Sequence, residues 1–276
     1  MSAVRPLVLD DLPRLSALLD ADPVTNCFVA AVVDVALRSG RLGSEFLGFE
    51  RDGDLVSALY LGANVIPVAT TDETRAAFAD RILRSGRRGS SIVGPADEVL
   101  DLWERVRHRW GPARDVRAAQ PLLMMDRDSD VAPDPQVRPV LAEEIDILLP
   151  ACVDMFTEEV GVSPVAGGAG SAYRARIAEI IRGGRALARI EGGRVAFKAE
   201  VGVTTRHACQ VQGVWVAPDL RGSGLSVPGM AAVVKIARVT CAPIVSLYVN
   251  DFNGAARRCY DAVGFAQVGT FATVLF

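Results

Sequence analysis

The chain has 276 residues, half of them hydrophobic, and a formal net charge of −3. This length predicts two domains, the near-neutral charge argues against a nucleic-acid partner, and no apolar run reaches the roughly 20 residues that would cross a membrane. Five dispersed cysteines without a CxxC pair and only two histidines argue against disulfides and a metal site, so we expect a cytoplasmic protein without a metal cofactor.

Strands and helices alternate in the first half of the sequence. The predicted elements are, in chain order, a strand at 4–9, helices at 11–19 and 23–38, strands at 45–50, 54–61 and 63–69, a helix at 72–84, a strand at 90–93, a helix at 95–109 and a strand at 114–125. The polar, proline-containing stretch 126–135 is typical of a linker. It places the predicted domain boundary between residues 1–130 and 131–276.

The second half has nearly the same order of elements. The prediction is a strand at 136–140, a helix at 142–160, a glycine-rich loop at 161–170, a helix at 171–182, strands at 185–191, 194–204 and 207–217, a helix at 225–239, a strand at 244–249, a short helix ended by Gly264 and a strand at 265–276. Such a mixture of strand runs and helices predicts the α/β (α+β) class.

Two short segments recur in both halves. Val4-Arg5-Pro6-Leu7 corresponds to Val137-Arg138-Pro139-Val140, each followed by a helix. The segments 49–56 and 189–196 each predict two strands joined by a tight glycine turn. We interpret this repetition as the duplication of a whole domain.

A glycine-containing loop follows the strand at 207–217 and precedes the helix at 225–239. Its residues are Arg221, Gly222, Ser223, Gly224, Leu225 and Ser226. Glycines let the backbone take positive φ, successive N–H groups can then face one anion, and a helix N-terminus adds positive potential. The loop therefore predicts a pyrophosphate site, with a plain strand–turn–helix connection as the alternative.

A second pattern follows in 247–265, where a strand leads to Asn253, a short helix with Tyr260, and a Gly264-Phe265 ending. Together with the loop, this pattern resembles the GNAT acetyltransferase superfamily over about 140 residues. Arg221 and Gly224 match the family's Arg/Gln-x-x-Gly-x-Gly/Ala loop, while Ser226 departs from its last position. The whole chain resembles actinobacterial proteins with two such domains.

The resemblance implies a fold, a cofactor and a set of residues. The expected fold is a tandem of GNAT domains, each a mixed, mostly antiparallel twisted sheet flanked by helices, with acetyl-CoA as co-substrate. Backbone groups of 221–226 would hold the pyrophosphate, and those of the preceding strand would hold the pantetheine arm. The other implied cofactor contacts, including that strand, are Val214, Trp215, Val216, Asn253, Ala256 and Arg258.

The resemblance specifies the catalytic residues less fully than the cofactor contacts. Tyr260 would protonate the departing thiolate, although a core aromatic is the alternative interpretation. Many family members carry a carboxylate base 11 residues ahead of the position of Arg221, where this chain has Gln210. Substitute bases are Glu200, Glu159 or its neighbour Glu158, and the carboxylate of Phe276; structural or surface roles stay open for all of them.

The first half has lost the features of the loop. Its corresponding segment, 66–74, has no arginine and no glycine pair, and it places Asp72 and Glu73 where a pyrophosphate would lie. Like charges would repel the ligand. We therefore expect residues 1–130 to be a degenerate GNAT-like domain that does not bind CoA.

The leading functional hypothesis is an N-acetyltransferase that moves the acetyl group of acetyl-CoA to an amine by direct attack. The alternative is a non-catalytic acyl-CoA-binding sensor or scaffold protein. An acyl transfer linked to aminoacyl-tRNA is disfavoured because no basic stripe is present. The acceptor stays open among small amines, antibiotics, peptide N-termini and protein lysines, as does assembly into a homodimer.

Overall fold

The computed structural model describes residues 3–276, which form two compact units. The first comprises the described residues up to Leu123 together with Tyr248–Asn253 and Gln267–Phe276. The second comprises Met124–Leu247 and Gly254–Ala266. Among the described residues, no helix has both the length and the apolar character needed to cross a membrane.

The observed elements follow the predicted order. The elements that lie wholly or mostly in the first unit are β1 (Ala3–Pro6), α1 (Leu12–Leu19), α2 (Cys27–Ser39), β2 (Glu45–Arg51), β3 (Asp54–Leu61), β4 (Asn64–Val68), α3 (Asp72–Ser85), β5 (Ser91–Pro95), α4 (Ala96–Trp110), β6 (Asp115–Met125) and the last strand, β12 (Ala266–Leu275). Those of the second unit are β7 (Arg138–Pro139), α5 (Ile145–Val160), α6 (Gly170–Arg182), β8 (Ala186–Glu191), β9 (Arg194–Thr204), β10 (Ala208–Val216), α7 (Ser226–Thr240), β11 (Ile244–Tyr248) and α8 (Gly254–Val263).

The sheet of the first unit has the strand order β1-β2-β3-β4-β5-β12-β6. Its strands pair antiparallel from β1 to β4, β4 and β5 are parallel, and β5 and β12 are antiparallel. Ala272 and Val274 of β12 are fully buried and belong to the core that the sheet forms with α3 and α4. A cut of the chain at residue 130 would therefore separate β12 from the sheet that it helps to build.

The sheet of the second unit has the order β11-β10-β9-β8-β7. All its pairs are antiparallel except β10–β11, which is parallel. Helices α5 and α6 pack on one face of this sheet through a core that includes Leu148, Cys152 and Ile177. Both units thus have the predicted α/β architecture of a mostly antiparallel sheet flanked by helices.

The duplicated segments adopt the same local structure. Arg5 holds Asp11 through two hydrogen bonds of 2.6 and 2.7 Å, and Arg138 holds Glu144 through two of 2.6 and 2.8 Å. Each carboxylate also accepts the backbone N–H three residues earlier, at 2.9 and 2.8 Å. Hydrogen bonding to its arginine lowers the pKa of each acid to about 2.

The two hairpins also share an irregularity. In the β2–β3 ladder the register shifts after Phe49, and in the β8–β9 ladder it shifts after Arg189. Each hairpin then closes through two residues of positive φ, Asp52-Gly53 and Gly192-Gly193. A bulge at the same place in both hairpins supports duplication more strongly than composition does, because bulges are specific local features.

Candidate functional site

Strands β10 and β11 separate soon after they meet. Their parallel ladder runs from Ala208–Ile244 to Gln210–Ser246, whereas β10 continues to Val216. A bulge in the β9–β10 ladder accompanies the separation, since Gly213 and Val214 lie between the pairs Gln212–Glu200 and Trp215–Lys198. The two strands therefore diverge, and Val214–Val216 lie beyond the β10–β11 ladder.

The loop after β10 has the geometry expected of an anion site. A short 3-10 turn at Pro218–Leu220 leads into it, and Gly222 and Gly224 have φ of +78° and +87°. Both glycines are exposed, and a side chain on either would meet nothing within 4 Å, so they are needed for conformation rather than for space. Helix α7 then begins without a side-chain cap at Leu225, which leaves first-turn N–H groups for a ligand.

The side chain of Arg221 is already engaged. Its Nη2 donates to both carboxylate oxygens of Glu158, at 2.7 and 3.0 Å, and its Nε donates to the carbonyl of Val216 at 3.2 Å. Both members of the ion pair are about half exposed. Glu158, near the end of α5, thus neutralises the one charged side chain of the loop, a role that the sequence did not predict.

Replacing Glu158 by Gln is expected to tighten acetyl-CoA binding by about two- to fivefold, because it frees Arg221 and removes a like charge from beside the phosphates. Calorimetric titration checks this, and the gain should shrink at high salt. Glu179→Gln on α6, an exposed acid with the same change of charge, is the control and should leave the affinity unchanged. Equal affinities for all three proteins would contradict the competition.

Helix α8 places Tyr260 in the core of the second unit. Tyr260 is 6% exposed, and its ring packs edge-on against Phe265 at 5.8 Å. Burial is the main cause that raises its pKa, and Glu159 is near enough to contribute. The neighbouring Cys259 contacts Ser226, the first residue of α7, so α8 is joined to the end of the loop.

The remaining implied cofactor contacts lie around the start of α8. Asn253 is exposed and immediately precedes the helix, and its N–H donates to the carbonyl of Asn250. Ala256 is partly buried, and Arg258 is exposed with its guanidinium folded back toward Gly254. Phe276, named above for its carboxylate, packs its ring against Trp103 and Trp110 in the first unit.

A buried ion pair lies on the α5 face of the second unit. Lys198 Nζ donates to Glu200 Oε1 at 2.6 Å, and the two side chains are 0% and 3% exposed. Burial acts to raise the pKa of Glu200, but the charge and hydrogen bond of Lys198, together with Arg176, outweigh it and the pKa is lowered. Glu200 is thus ionised and firmly held, which makes it a weaker base than a free carboxylate.

Replacing Lys198 alone by Met is expected to destabilise the protein by about 3–5 kcal/mol at neutral pH, since it leaves a buried carboxylate without its cation. Without Lys198, burial is expected to raise the pKa of Glu200 above its unfolded value. The loss is then smallest in acid and grows as the pH rises through the range between the two pKa values. Urea unfolding at several pH values measures this, and a loss independent of pH would contradict it.

Two features of the sequence point to this buried ion pair. Lys198 is one of two lysines in an arginine-rich chain, and it stands two residues from Glu200 in a segment, 195–203, whose other residues are apolar or glycine. Residues two apart in a strand share a face, so a buried pair could have been predicted.

Gln210, at the position of the family base, pairs with Ser246 in β11, and it is Gln212 that contacts Glu200, at 3.5 Å.

The corresponding loop of the first unit is occupied by a side chain of its own. Glu98 accepts the backbone N–H of Thr70 at 2.9 Å and also the Thr70 hydroxyl, directly ahead of α3. Helix α3 is capped by the side chain of Thr71, in contrast to the uncapped α7. Burial raises the pKa of Glu98. A carboxylate and a cap thus take up donors that the loop of the second unit leaves available.

Comparisons with known proteins agree with this architecture. Residues 171–265 match the Acetyltransferase (GNAT) family, and 44–148 match a domain of unknown function, DUF4081. An acetyltransferase of the GNAT family from Colwellia psychrerythraea aligns over 99% of this chain and 99% of its own, with 12% identity and a TM-score of 0.62. No relative was found among curated proteins.

Two further solved structures resemble the chain over its length. A GCN5-related N-acetyltransferase from Sphaerobacter thermophilus aligns over 99% of this chain and 94% of its own, with 16% identity and a TM-score of 0.57. A tandem GNAT protein from the clavulanic acid biosynthesis pathway aligns over 100% and 98%, with 14% identity and a TM-score of 0.56. At such identities the likeness shows the fold. The chain thus has the fold of these GNAT proteins, and its segment from α6 to α8 is similar in sequence to the GNAT acetyltransferase family.

Proposed function

We propose that the chain is an N-acetyltransferase that transfers the acetyl group of acetyl-CoA to an amine. The observation that carries the proposal is the loop 221–226, where two glycines of positive φ and an uncapped helix N-terminus offer donors to a pyrophosphate. The separation of β10 from β11 leaves backbone groups of Val214–Val216 for the pantetheine arm. The exposed positions of Asn253, Arg258 and Gly224 are compatible with contact to the rest of CoA.

In the proposed reaction the neutral amine attacks the thioester carbonyl. A C–N bond forms, the C–S bond breaks, the amine nitrogen releases one proton to water, and the leaving thiolate takes one proton from a side chain that water then reprotonates. Tyr260 is the proposed donor to the sulfur, because its burial and raised pKa keep the phenol protonated. Positioning of the two substrates supplies much of the remaining rate enhancement.

The proposal assigns a single cofactor site to the chain. In the first unit the donors ahead of α3 are used by Glu98 and Thr71, which supports the interpretation of that unit as a degenerate copy. We propose that it serves the fold rather than CoA binding. We propose a cytoplasmic setting, because the five cysteines are dispersed and none forms a CxxC pair.

The test is to incubate the protein with acetyl-CoA and a panel of amines, and to measure free thiol and acetylated product together. The panel should include small amines, aminoglycoside antibiotics, peptides with free N-termini and lysine-containing peptides. Stoichiometric release of thiol and formation of an amide support the proposal. Tight acetyl-CoA binding without thiol release for any amine would favour the acyl-CoA sensor or scaffold instead.

Tyr260→Phe is expected to lower kcat by roughly a hundredfold, because it removes the proton donor while preserving the ring. The Kd of acetyl-CoA should not change, because the phenol is assigned to the leaving sulfur alone. Tyr60→Phe, in the first unit, is the control, since both tyrosines are 6% exposed. Steady-state kinetics and calorimetry measure the two quantities, and an undiminished kcat in Tyr260→Phe would remove Tyr260 from the mechanism.

A further inference from the structure

The Lys198–Glu200 pair has no part in cofactor binding as proposed, yet β10 crosses directly over it at the bulge. A side-chain carbon on Gly213 would lie 3.2 Å from Lys198 Nζ and 3.5 Å from the carboxyl carbon of Glu200. Gly213 has a φ of +60°, a conformation that favours glycine. The bulge therefore brings the backbone of β10, at a residue without a side chain, against two buried charges.

The hydrogen bonds of Glu200 are unevenly distributed. Oε1 accepts from Lys198 Nζ at 2.6 Å and from Cys152 Sγ at 3.5 Å, whereas Oε2 has the Gln212 amide nitrogen at 3.5 Å. An ionised carboxylate can accept about four hydrogen bonds, and 3.5 Å is long for an N–H···O contact. Among the described residues, the hydrogen bonding of the buried oxygen Oε2 is thus limited to one long contact.

A second polar atom with unused hydrogen-bonding capacity lies on the same face of the sheet, in the side chain of Trp215. It is paired with Lys198 across β9–β10, so their side chains are neighbours. The side chain is 8% exposed, and its indole Nε1 is buried without a hydrogen-bond partner among the described residues. Buried polar atoms without partners are rare, and each requires an explanation such as a bound molecule.

We propose that this face of the second unit, around Glu200 Oε2 and Trp215, binds the acceptor of the transfer as an ammonium ion, with Lys198 as the positioning residue that anchors Oε1. The bound ammonium gives up one proton to water and so becomes the neutral amine that attacks the thioester. The inference rests on the proposed function, which makes the bound amine an acceptor. An ammonium supplies the charge and the N–H donors that Oε2 lacks. Entry requires rotation of the flexible side chains of Gln212 and Met155, which adjoin Oε2 and Gly213.

Calorimetric binding of amines to the CoA-saturated protein tests this inference without requiring turnover. The probes are primary amines and the alcohols of the same shape. The wild-type complex is expected to bind its best amine at least roughly tenfold more tightly than the matching alcohol, because a charge-assisted hydrogen bond is stronger than a neutral one.

The informative variant changes both members of the pair. Lys198→Met combined with Glu200→Gln leaves no stranded buried charge and is expected to fold. It should lose the preference for amine over alcohol, while its Kd for acetyl-CoA stays within about twofold because cofactor binding depends on the separate loop. Glu179→Gln, an exposed acid on α6, is the control and should keep the preference.

Two results would overturn the assignment: a folded, CoA-binding double variant that keeps the tenfold preference, or a wild-type complex that binds no amine of the panel. Failure of the wild-type protein to bind acetyl-CoA would be a different result, because it would contradict the proposed function at the loop 221–226.

Discussion

Gly224→Glu is expected to weaken acetyl-CoA binding by roughly a hundredfold or more, through charge and conformation together. Gly224 has a φ of +87°, which side chains rarely adopt, and it lies two residues before α7. A carboxylate here would face the pyrophosphate with like charge and displace the backbone donors around it. Calorimetric titration with acetyl-CoA and with CoA measures the loss.

Gly193→Glu is the matched control for this variant. Gly193 lies in the β8–β9 turn and has a φ of +76°, and a β-carbon added to it, as to Gly224, would meet nothing within 4 Å. The two substitutions therefore carry a similar backbone cost and the same added charge. If both variants lose CoA equally, or if Gly224→Glu binds normally, the loop is not the pyrophosphate site.

Val274→Asp is expected to destabilise the first unit by more than about 4 kcal/mol, because it places an unpaired carboxylate in a closed core. Val274 is fully buried, pairs with Ile92 of β5 and belongs to the cluster around Phe78 and Trp103. Urea unfolding measures the loss of stability. Hydrogen exchange should show the largest loss of protection in β4, β5 and β12.

Val268→Asp provides the comparison within the same strand. Val268 is 51% exposed, so the same chemical change should cost less than about 1 kcal/mol. A similar effect of both substitutions would mean that β12 is not part of a packed core. Normal stability of Val274→Asp would remove β12 from the sheet of the first unit.

Local features of the fold could be predicted from sequence because their causes are local. The paired glycines and the Asp52-Gly53 dipeptide specify tight turns, and apolar spacing specifies the helices. The repeated Arg-Pro starts predicted a duplication, and the equivalent ion pairs of Arg5 and Arg138 are its physical counterpart.

Features that join distant segments could not be predicted in the same way. Arg221 and Glu158 are 63 residues apart, and nothing in either neighbourhood distinguishes Glu158 from Glu159. Their difference is the direction each takes from the last turn of α5, which depends on how the helix packs. Glu98 in the first unit is similar, because it reaches Thr70 across 28 residues.

The pairing of strands could also not be predicted from the sequence. The alternation of β12 shows that it is a strand, but it does not identify the sheet that receives it. Its place between β5 and β6 is fixed by the contacts of Ala272 and Val274 and by the hydrogen bond that the Thr273 hydroxyl donates to Gln120 of β6, at 2.6 Å. Such contacts exist only after the sheet has formed.

The place of β12 also has a consequence for how the protein is made. Between Met125, where β6 ends, and Ala266, where β12 begins, the ribosome must synthesise 140 residues, which include most of the second unit. The sheet of the first unit contains a gap between β5 and β6 until then. A nascent chain would therefore expose two unpaired strand edges throughout this interval. Chaperone binding during this time would protect these edges from aggregation.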